Sequence, residues 1–562
     1  MELIDWLIVL IVNGAVIVYG FYLARGTRSS NEWFLGNRAL GWWAIGLSMF
    51  ATNVDNFDIV SNVGLTYREG IHVLAAHAFG LSVGGILAAF FVIPTIYRAG
   101  YYTNSEYLED RFGPATRVIS ALIQIEYRTF VLGMMVYAIY LMLTTMIELP
   151  KATSWSFVIL LVVFAAIYTA WGGLKTVVMT DAFQSVILMV GTLVIFFVVW
   201  KAVGGWSGML ATLETMVTDD GENASKLVHI GQYRGTHGAT SPYLVVLGWV
   251  IICCGYWTVN HTQTMRLMGS RSIWDMKMAV LIGVGLSVPV MIAVLLLGPF
   301  GRALDANIER PDQLFPYLAK EYLTTGLRGV VIAGLVAAAV STFDSISSAL
   351  SAVFTRDIYA RFFVRDQPDK HYVVVGRIAT PAILALGFVY LPFIMSKSTM
   401  MSAFTSMISV FVTPLVIVYV AGAMTRAHRR SGLIGLLAGS TYGLVAFLSR
   451  EAQEKAEWVI NWIPDWTAAL PNWCVGHWEA YIWSVGFTAL AIAIVTLCYG
   501  RTTIEDHSTQ SGVGGWLERS RQELSPVREH PFSHELPVIL QPRWYAILLL
   551  GVTAYLVFWV FW

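Results

Sequence analysis

The sequence predicts an all-α polytopic membrane protein of about fourteen transmembrane helices, and three observations predict it. The chain of 562 residues is 56% hydrophobic and 13% charged, whereas soluble domains carry about 25% charged residues. Apolar runs recur from Ile4 to Trp562, many of them close to the 20 or so helical residues needed to cross about 30 Å of hydrocarbon. Basic residues crowd every second loop between these runs. An apolar excess of this size needs lipid to face, and the alternating loop charge supplies the topology.

In chain order the runs fall at 4–24, 40–63, 71–97, 117–148, 154–170, 176–201, 241–268, 274–298, 326–358, 371–396, 401–424, 432–448, 478–499 and 541–562. The first follows MELIDWLIVL, which has no basic stretch ahead of it, so it is expected to stay as an anchored helix. Arg25, Arg28 and Arg38 follow that run, Arg98 and Arg111 the third, Lys175 the fifth, and Arg266, Arg271 and Lys277 the seventh. Arg356, Arg361, Arg365 and Lys370 continue the series, then Arg426, Arg429 and Arg430, then Arg501, Arg519, Arg521 and Arg528. The positive-inside rule makes these loops cytoplasmic and puts both termini outside. The longer loops at 202–240, 299–325 and 449–477 mix Asp and Glu with fewer basic residues, as external loops do. Net charge is zero, so placement rather than sum carries the electrostatic information. With no organelle signal, a bacterial plasma membrane is the simplest location.

Of the four cysteines, Cys253, Cys254 and Cys498 lie inside runs and Cys474 in an external loop, so no disulfide framework is expected. One membrane domain spans 1–562, divided into a peripheral first helix and loop at 1–39, a core at 40–424, peripheral helices at 425–499, a cytoplasmic loop at 500–540 and a terminal helix at 541–562. The 500–540 loop is too short to bury its own core. Its GGWLERSRQEL stretch reads as an amphipathic helix lying on the membrane surface.

Polar clusters interrupt the runs at three places, and polar groups at membrane depth are tolerated only inside protein or against a cavity. LSMFATNVDNFDIVSNVG carries Asn53, Asp55, Asn56 and Asp58, VIICCGYWTVNHTQTMR carries Gly255, Thr258, Asn260 and His261, and AAAVSTFDSISSALS occupies the 326–358 run. The first two interruptions open consecutive groups of five helices, 40–201 and 241–424. Five is odd, so the groups have opposite orientation, the five-plus-five arrangement of an inverted-repeat transporter with discontinuous helices at its substrate site.

Ser341, Asp344, Ser345 and Ser348 recur at i, i+3, i+4 and i+7 and share one helix face. Hydroxyls with a carboxylate are hard oxygen donors suited to an alkali cation. Small residues also simply let helices approach closely, but an intramembrane carboxylate argues for function. Asp181, with Thr180, Gln184 and Ser185 near the start of its run, is either a helix N-terminal charge or a second functional carboxylate. His72 and His77, five apart, do not share a face and make no metal site. No GxSxG, HExxH, P-loop or GxGxxG occurs in a suitable setting, so a transporter is expected and not an enzyme.

Four blocks resemble the sodium/solute symporter family: SSNEWFLGNRALGWWAIGLSMFATNV at 29–54, TNSEYLEDRFG at 103–113, YTAWGGLKTVVMTDAFQ at 168–184 and AAAVSTFDSISSALSAVFTRDIY at 337–359; the terminal helix at 541–562 after a long cytoplasmic loop resembles its sodium/sugar cotransporter branch. The resemblance implies a LeuT-like inverted-repeat core with a sodium ion (Na+) between the first core helix and the 326–358 helix. Carried over by position, its ligands are the carbonyls of Ala51, Val54 and Ala338 and the hydroxyls of Ser341 and Thr342. A second cation position in some members falls on Asp181, Asp344 and Ser345, and a carboxylate at 344 departs from the family pattern. Two nearby buried carboxylates need a cation or proton between them. The alternative is that Asp344 pairs with a basic side chain such as Arg128.

The same alignment puts Asn53, Asp58, His77, Cys253 and Tyr256 at the solute site. Asn53 and Tyr256 agree with the sugar-carrier pattern; Asp58, His77 and Cys253 do not, and no lysine matches the one some members use. Asp58 and His77 either bind solute hydroxyls or pair with each other, and an unpaired Asp58 favours an amine. Glu126 and Arg128 are expected to satisfy each other or nearby carbonyls inside the bundle. The expected function is sodium-coupled symport of a small polar organic solute such as a sugar or sugar derivative. The alternatives are an amine, amino acid or carboxylate as solute, or a non-transporting sensor of the same fold. The expected partners are the solute, sodium and the bilayer, with no nucleic acid and no obligate protein partner.

Overall fold

The computed structural model describes residues 2–24, 29–218, 221–232, 241–306, 308–453, 467, 469–501, 516–531 and 536–562. Arg25 and Arg28 lie outside the described residues, as do Gly514 and Gly515 of the GGWLERSRQEL stretch. Among the described residues there is no β-strand, and eleven helices are long and apolar enough to cross a membrane, thirteen if each of two bent pairs is one span. The expected fourteen is not reached by that criterion. The first core helix is broken into pieces of 12 and 14 residues, and neither is long enough alone.

The elements that build the site are α1 (Leu3–Ala24), the two halves α2 (Trp42–Asn53) and α3 (Asn56–Glu69), α4 (Ile71–Arg98), α5 (Asn104–Phe112), α6 (Pro114–Thr145), α7 (Lys151–Trp171) and α8 (Leu174–Ala202). A second set follows as the halves α9 (Pro242–Thr258) and α10 (His261–Met268), then α11 (Ile273–Ala303), α12 (Leu327–Phe363), α13 (Asp369–Ser396) and α14 (Met400–Met424). Outside these sit α15 (Ser431–Gln453), α16 (Glu479–Tyr499), the short α17 (Trp516–Gln522) and α18 (Pro542–Val560). Helix α12 packs against α1, α6, α7, α8 and α13, and α2 and α3 pack along α11.

Both breaks are made by side-chain caps rather than by Gly or Pro. Val54 leaves helical geometry (φ −132°, ψ 79°), and Asp55 then restarts the helix by accepting the Asp58 N–H at 2.9 Å. Asn260 restarts the second helix the same way, accepting the Thr262 N–H at 3.1 Å, with a 50° bend between halves. Short polar side chains favour caps over helix interiors because they bond the orphan N–H groups of the first turn. Close approach of α4 and α9 depends on Gly84, where an added Cβ would meet the Cys253 carbonyl oxygen at 2.5 Å.

Helix α17 corrects a sequence-based expectation. It does not lie free as an amphipathic surface helix: Trp516, Leu517 and Ser520 are buried against the bundle. The Trp516 ring stacks on Tyr372 at 3.8 Å and its Nε1–H donates to Asp369 at 2.7 Å, while Arg356 donates to the Ser520 hydroxyl at 3.1 Å. An aromatic with a polar edge and a buried hydroxyl found protein partners, which amphipathic periodicity alone does not distinguish from lipid headgroups.

Candidate functional site

The break between α2 and α3 opens onto a cavity. Asn53, Asp58, His77, Cys253 and Tyr256 all line it, so the structure brings together all five residues expected at the solute site. His77 arrives on a π-helical turn, Ala76–Gly80, in α4, a local widening that often marks functional sites. Cys253 and Tyr256 come from α9, Tyr127 and Arg128 from α6, and Met401 and Phe404 from α14. On one side a polar chain closes the cavity: Gln263 Nε2 donates to the Asn53 side chain at 3.0 Å and to Tyr256 Oη at 2.6 Å, and Tyr256 donates to the Thr52 carbonyl at 2.8 Å. Asn53 in turn donates to Ser287 Oγ at 3.3 Å.

Asp58 and His77 do not pair. His77 Nε2 meets Asn62 Nδ2 at 3.1 Å, and His77 Nδ1 has no hydrogen-bond partner. Nor do Glu126 and Arg128 satisfy each other, because residues two apart on a helix point to opposite faces. Arg128 is buried at the cavity, its guanidinium 5.4 Å from the Tyr127 ring and 6.0 Å from the Tyr256 ring, whereas both Glu126 carboxylate oxygens are without a partner.

The residues expected to hold sodium fall where α2 ends against α12. Ala51 and Val54 lie at the C-terminal end of α2, where a helix leaves carbonyls without intrahelical donors and concentrates negative potential. Ala338, Ser341 and Thr342 are buried on α12. Ser341 donates its proton to Asp181 Oδ1 at 2.6 Å, so its oxygen lone pairs stay available, and Thr342 Oγ1 is buried with no hydrogen-bond partner.

Asp181 is more than a helix-terminal charge. It sits two turns into α8 and accepts from Ser48 at 2.6 Å, Ser345 at 3.2 Å and the guanidinium of Arg266 at 2.9 Å, all buried. Arg266 also donates to Thr52 Oγ1 at 2.9 Å and to Ser345 Oγ. Asp344 is not paired with Arg128; it accepts from Thr169 of α7, and its second oxygen is buried without a partner. The Thr169 hydroxyl also reaches the Ala165 carbonyl at 2.8 Å. The two carboxylates therefore have separate partners, and the cation beside Asp181 is a side chain.

A broken-helix core carrying these donors invites comparison with known proteins. Residues 33–439 match the family model described as Sodium:solute symporter family. The chain belongs to the sodium:solute symporter family. Among curated relatives of this symporter, the sodium/glucose cotransporter of Vibrio parahaemolyticus is 27% identical over 410 residues, covering 69% of this chain and 74% of the relative. The human sodium/myo-inositol cotransporter 2 is 27% identical over 471 residues, covering 76% and 68%. In fold, the symporter resembles a Na+-coupled sialic acid symporter in a substrate-bound outward-open state, with a TM-score of 0.72 at 17% identity, covering 89% of this chain and 99% of that one. It also resembles a nucleobase-cation-symport-1 family transporter with bromovinylhydantoin bound, with a TM-score of 0.56 at 11% identity, covering 89% and 99%.

Arg266 is the site residue that sequence reasoning on this symporter missed. Its charge and position suggest one of the basic loops that orient the chain, yet it is 1% exposed at the heart of the α2–α8–α12 contact. The available signal was its position six residues after the Asn260 cap, which keeps it on helix α10 rather than in the loop beyond. Arg356 and Arg361 were likewise counted as loop charges but lie on α12 and pair with Glu106 and Glu109 of α5.

Proposed function

We propose that this symporter imports a small polar organic solute, a sugar or sugar derivative by analogy with its relatives, bound at Asn53, Asp58, His77, Cys253 and Tyr256 and driven by one sodium ion. Sodium is held by the Ala51, Val54 and Ala338 carbonyls and the Ser341 and Thr342 hydroxyls. The observation that carries this reading is Thr342 Oγ1, a buried oxygen with no hydrogen-bond partner on a helix that packs against α2. Burying a hydroxyl without a hydrogen bond costs about 1–3 kcal/mol, which a bound cation offsets. The second cation position at Asp181, Asp344 and Ser345 is filled on this reading by the Arg266 guanidinium, which supports single-sodium coupling.

Sodium binding at the end of α2 locks the break in place, and the cavity beside it then takes the solute. Closure of the opposite face follows, and release into a low-sodium cytoplasm resets the cycle. One charge moving through 100 mV contributes about 2.3 kcal/mol before any concentration term. The basic loop ends face the cytoplasm and the termini lie outside, in a plasma membrane. The test is uptake into proteoliposomes under an imposed sodium gradient. Thr342→Ala is expected to raise the sodium concentration for half-maximal uptake about tenfold or more, the scale of one lost charge-assisted contact. Unchanged sodium dependence in that variant removes the site.

A further inference from the structure

We infer that the transported solute carries a protonated amine and that Asp58 is its counter-ion, an inference that rests on the symport reading above and narrows its substrate class. Three charged side chains line the cavity, Asp55, Asp58 and Arg128. Asp55 is committed to the fold, since its Oδ1 accepts the Asp58 N–H at 2.9 Å and restarts helix α3. Asp58 is less committed: among the described residues its carboxylate meets no side-chain hydrogen-bond or ion-pair partner, only the backbone N–H of Asp55, and it is the less buried of the two carboxylates. Arg128 makes no ion pair within the described residues, and its guanidinium lies against the Tyr127 and Tyr256 rings.

Two carboxylates against one guanidinium leave an excess negative charge in a space walled by Phe57, Tyr127, Trp249, Tyr256 and Phe404. A carboxylate in such surroundings needs a positive partner, and the single Arg128 guanidinium, which forms no ion pair with either carboxylate among the described residues, does not neutralise both. The rest of the wall fits an ammonium. Aromatic faces attract cations. His77, 8% exposed, presents an unpartnered Nδ1, and Arg128 Nε is also unpartnered, so hydroxyl or other acceptor groups on the solute have donors or acceptors to meet. The geometry therefore describes an amine bearing hydroxyls, such as an amino sugar or amino polyol.

The experiment compares matched pairs in proteoliposomes with a sodium gradient: labelled glucosamine against glucose, and an aminodeoxyinositol against myo-inositol. The amine of each pair is expected to be taken up with a kcat/KM at least about thirtyfold higher, the value of one buried charge pair. Asp58→Asn is expected to abolish that preference, and Asp58→Glu to restore part of it. Because Asp58→Asn could disturb folding, wild-type thermal stabilisation by glucosamine over glucose in sodium is measured alongside and is expected to show the same preference. Equal or better uptake of the neutral member overturns the inference and leaves symport standing. A change in the sodium Hill coefficient in Asp58→Asn overturns it too, by making Asp58 a sodium ligand. No sodium-dependent uptake of any solute overturns the symport reading itself.

Discussion

Two clusters of buried charge, one at the basic-loop end of the bundle and one at the central cavity, are built by opposite rules. At the first, four carboxylates, Glu106, Glu109, Asp110 and Asp357, face four guanidiniums, Arg117, Arg356, Arg361 and Arg521. Arg117 reaches Asp357 at 2.7 Å and Glu109 at 2.7 Å, and Arg356 reaches Glu106 at 2.6 Å, its guanidinium lying 3.7 Å from the Tyr102 ring. At the cavity, by contrast, two carboxylates stand beside one guanidinium that forms no ion pair among the described residues, and the His77 Nδ1 ring nitrogen goes unpartnered. The difference teaches which charges hold the fold and which wait for something from outside. Paired charges tie α5 to α6 and α12, and so join the two five-helix groups at one end. Unpaired ones cost stability in the empty protein and repay it only when a ligand arrives.

That contrast predicts stability effects of opposite size. Arg117→Met strands the buried Asp357, whose ion pair among the described residues is with Arg117, and removes one partner each from Glu106 and Glu109; it is expected to cost about 3–5 kcal/mol, read as a fall in the thermal unfolding midpoint in detergent. Asp58→Asn is expected to leave the midpoint unchanged or raise it, because it removes an unpaired charge. If the two variants unfold alike, the distinction between the clusters fails. Arg266→Gln comes next. It exposes Asp181 and is expected to destabilise by an amount approaching that of Arg117→Met in low sodium, with much of the loss recovered as sodium rises. The same variant should move the sodium Hill coefficient from near one toward two; a coefficient that stays near one argues that the guanidinium does not stand in for a cation.

The acid limb of stability reports on the paired cluster. Burial alone would raise the Glu106 carboxyl, but Arg356, Arg521 and Arg117 hold it down to about 2, against an ordinary value of 4.5. A carboxylate lowered in the folded state contributes stability that is complete above its unfolded value and is lost as pH falls toward the folded one. The Glu106 contribution to the unfolding midpoint is therefore expected to be flat from neutral pH to about 5 and to be lost between about 4.5 and 2, by on the order of 2–3 kcal/mol. Glu106→Gln should start lower and flatten that limb. A wild-type limb that begins near pH 6 would assign the loss to other groups.

How legible all this was in the sequence depends on what sets each feature. Span positions were legible because hydrophobic length is a local property, and the five cavity residues follow from position relative to the family blocks, only Asn53 lying inside one of them. The pairing of charges was not. Asp181 and Arg266 lie 85 residues apart, and nothing in either segment's composition says that α8 and α10 meet. Of the alternatives open for Glu126 with Arg128 and for Asp58 with His77, mutual pairing rests on proximity in sequence or alignment, whereas rotation about the helix axis sends these residues to different surroundings. Helix α17 was read as membrane-bound for the same reason: its hydrophobic face was visible, and the surface it covers was not.

The smallest effect tests whether charge or ring stacking docks α17. Arg521 lies 3.4 Å from Glu106 and 3.9 Å from Asp110 with its side chain 21% exposed, so water screens the pair. Arg521→Ala is expected to cost no more than about 1 kcal/mol, the range of partly exposed ion pairs. Trp516 is 3% exposed and stacked on Tyr372, with Arg356 4.8 Å from its ring. Its removal would take away both a packed surface and a wall of the Arg356 site. Limited proteolysis near residue 516 separates the two contributions: accelerated cleavage in Trp516→Ala with none in Arg521→Ala identifies stacking as the tie, and the reverse identifies Arg521, which would make the paired cluster extend outward to the loop instead of ending at α12.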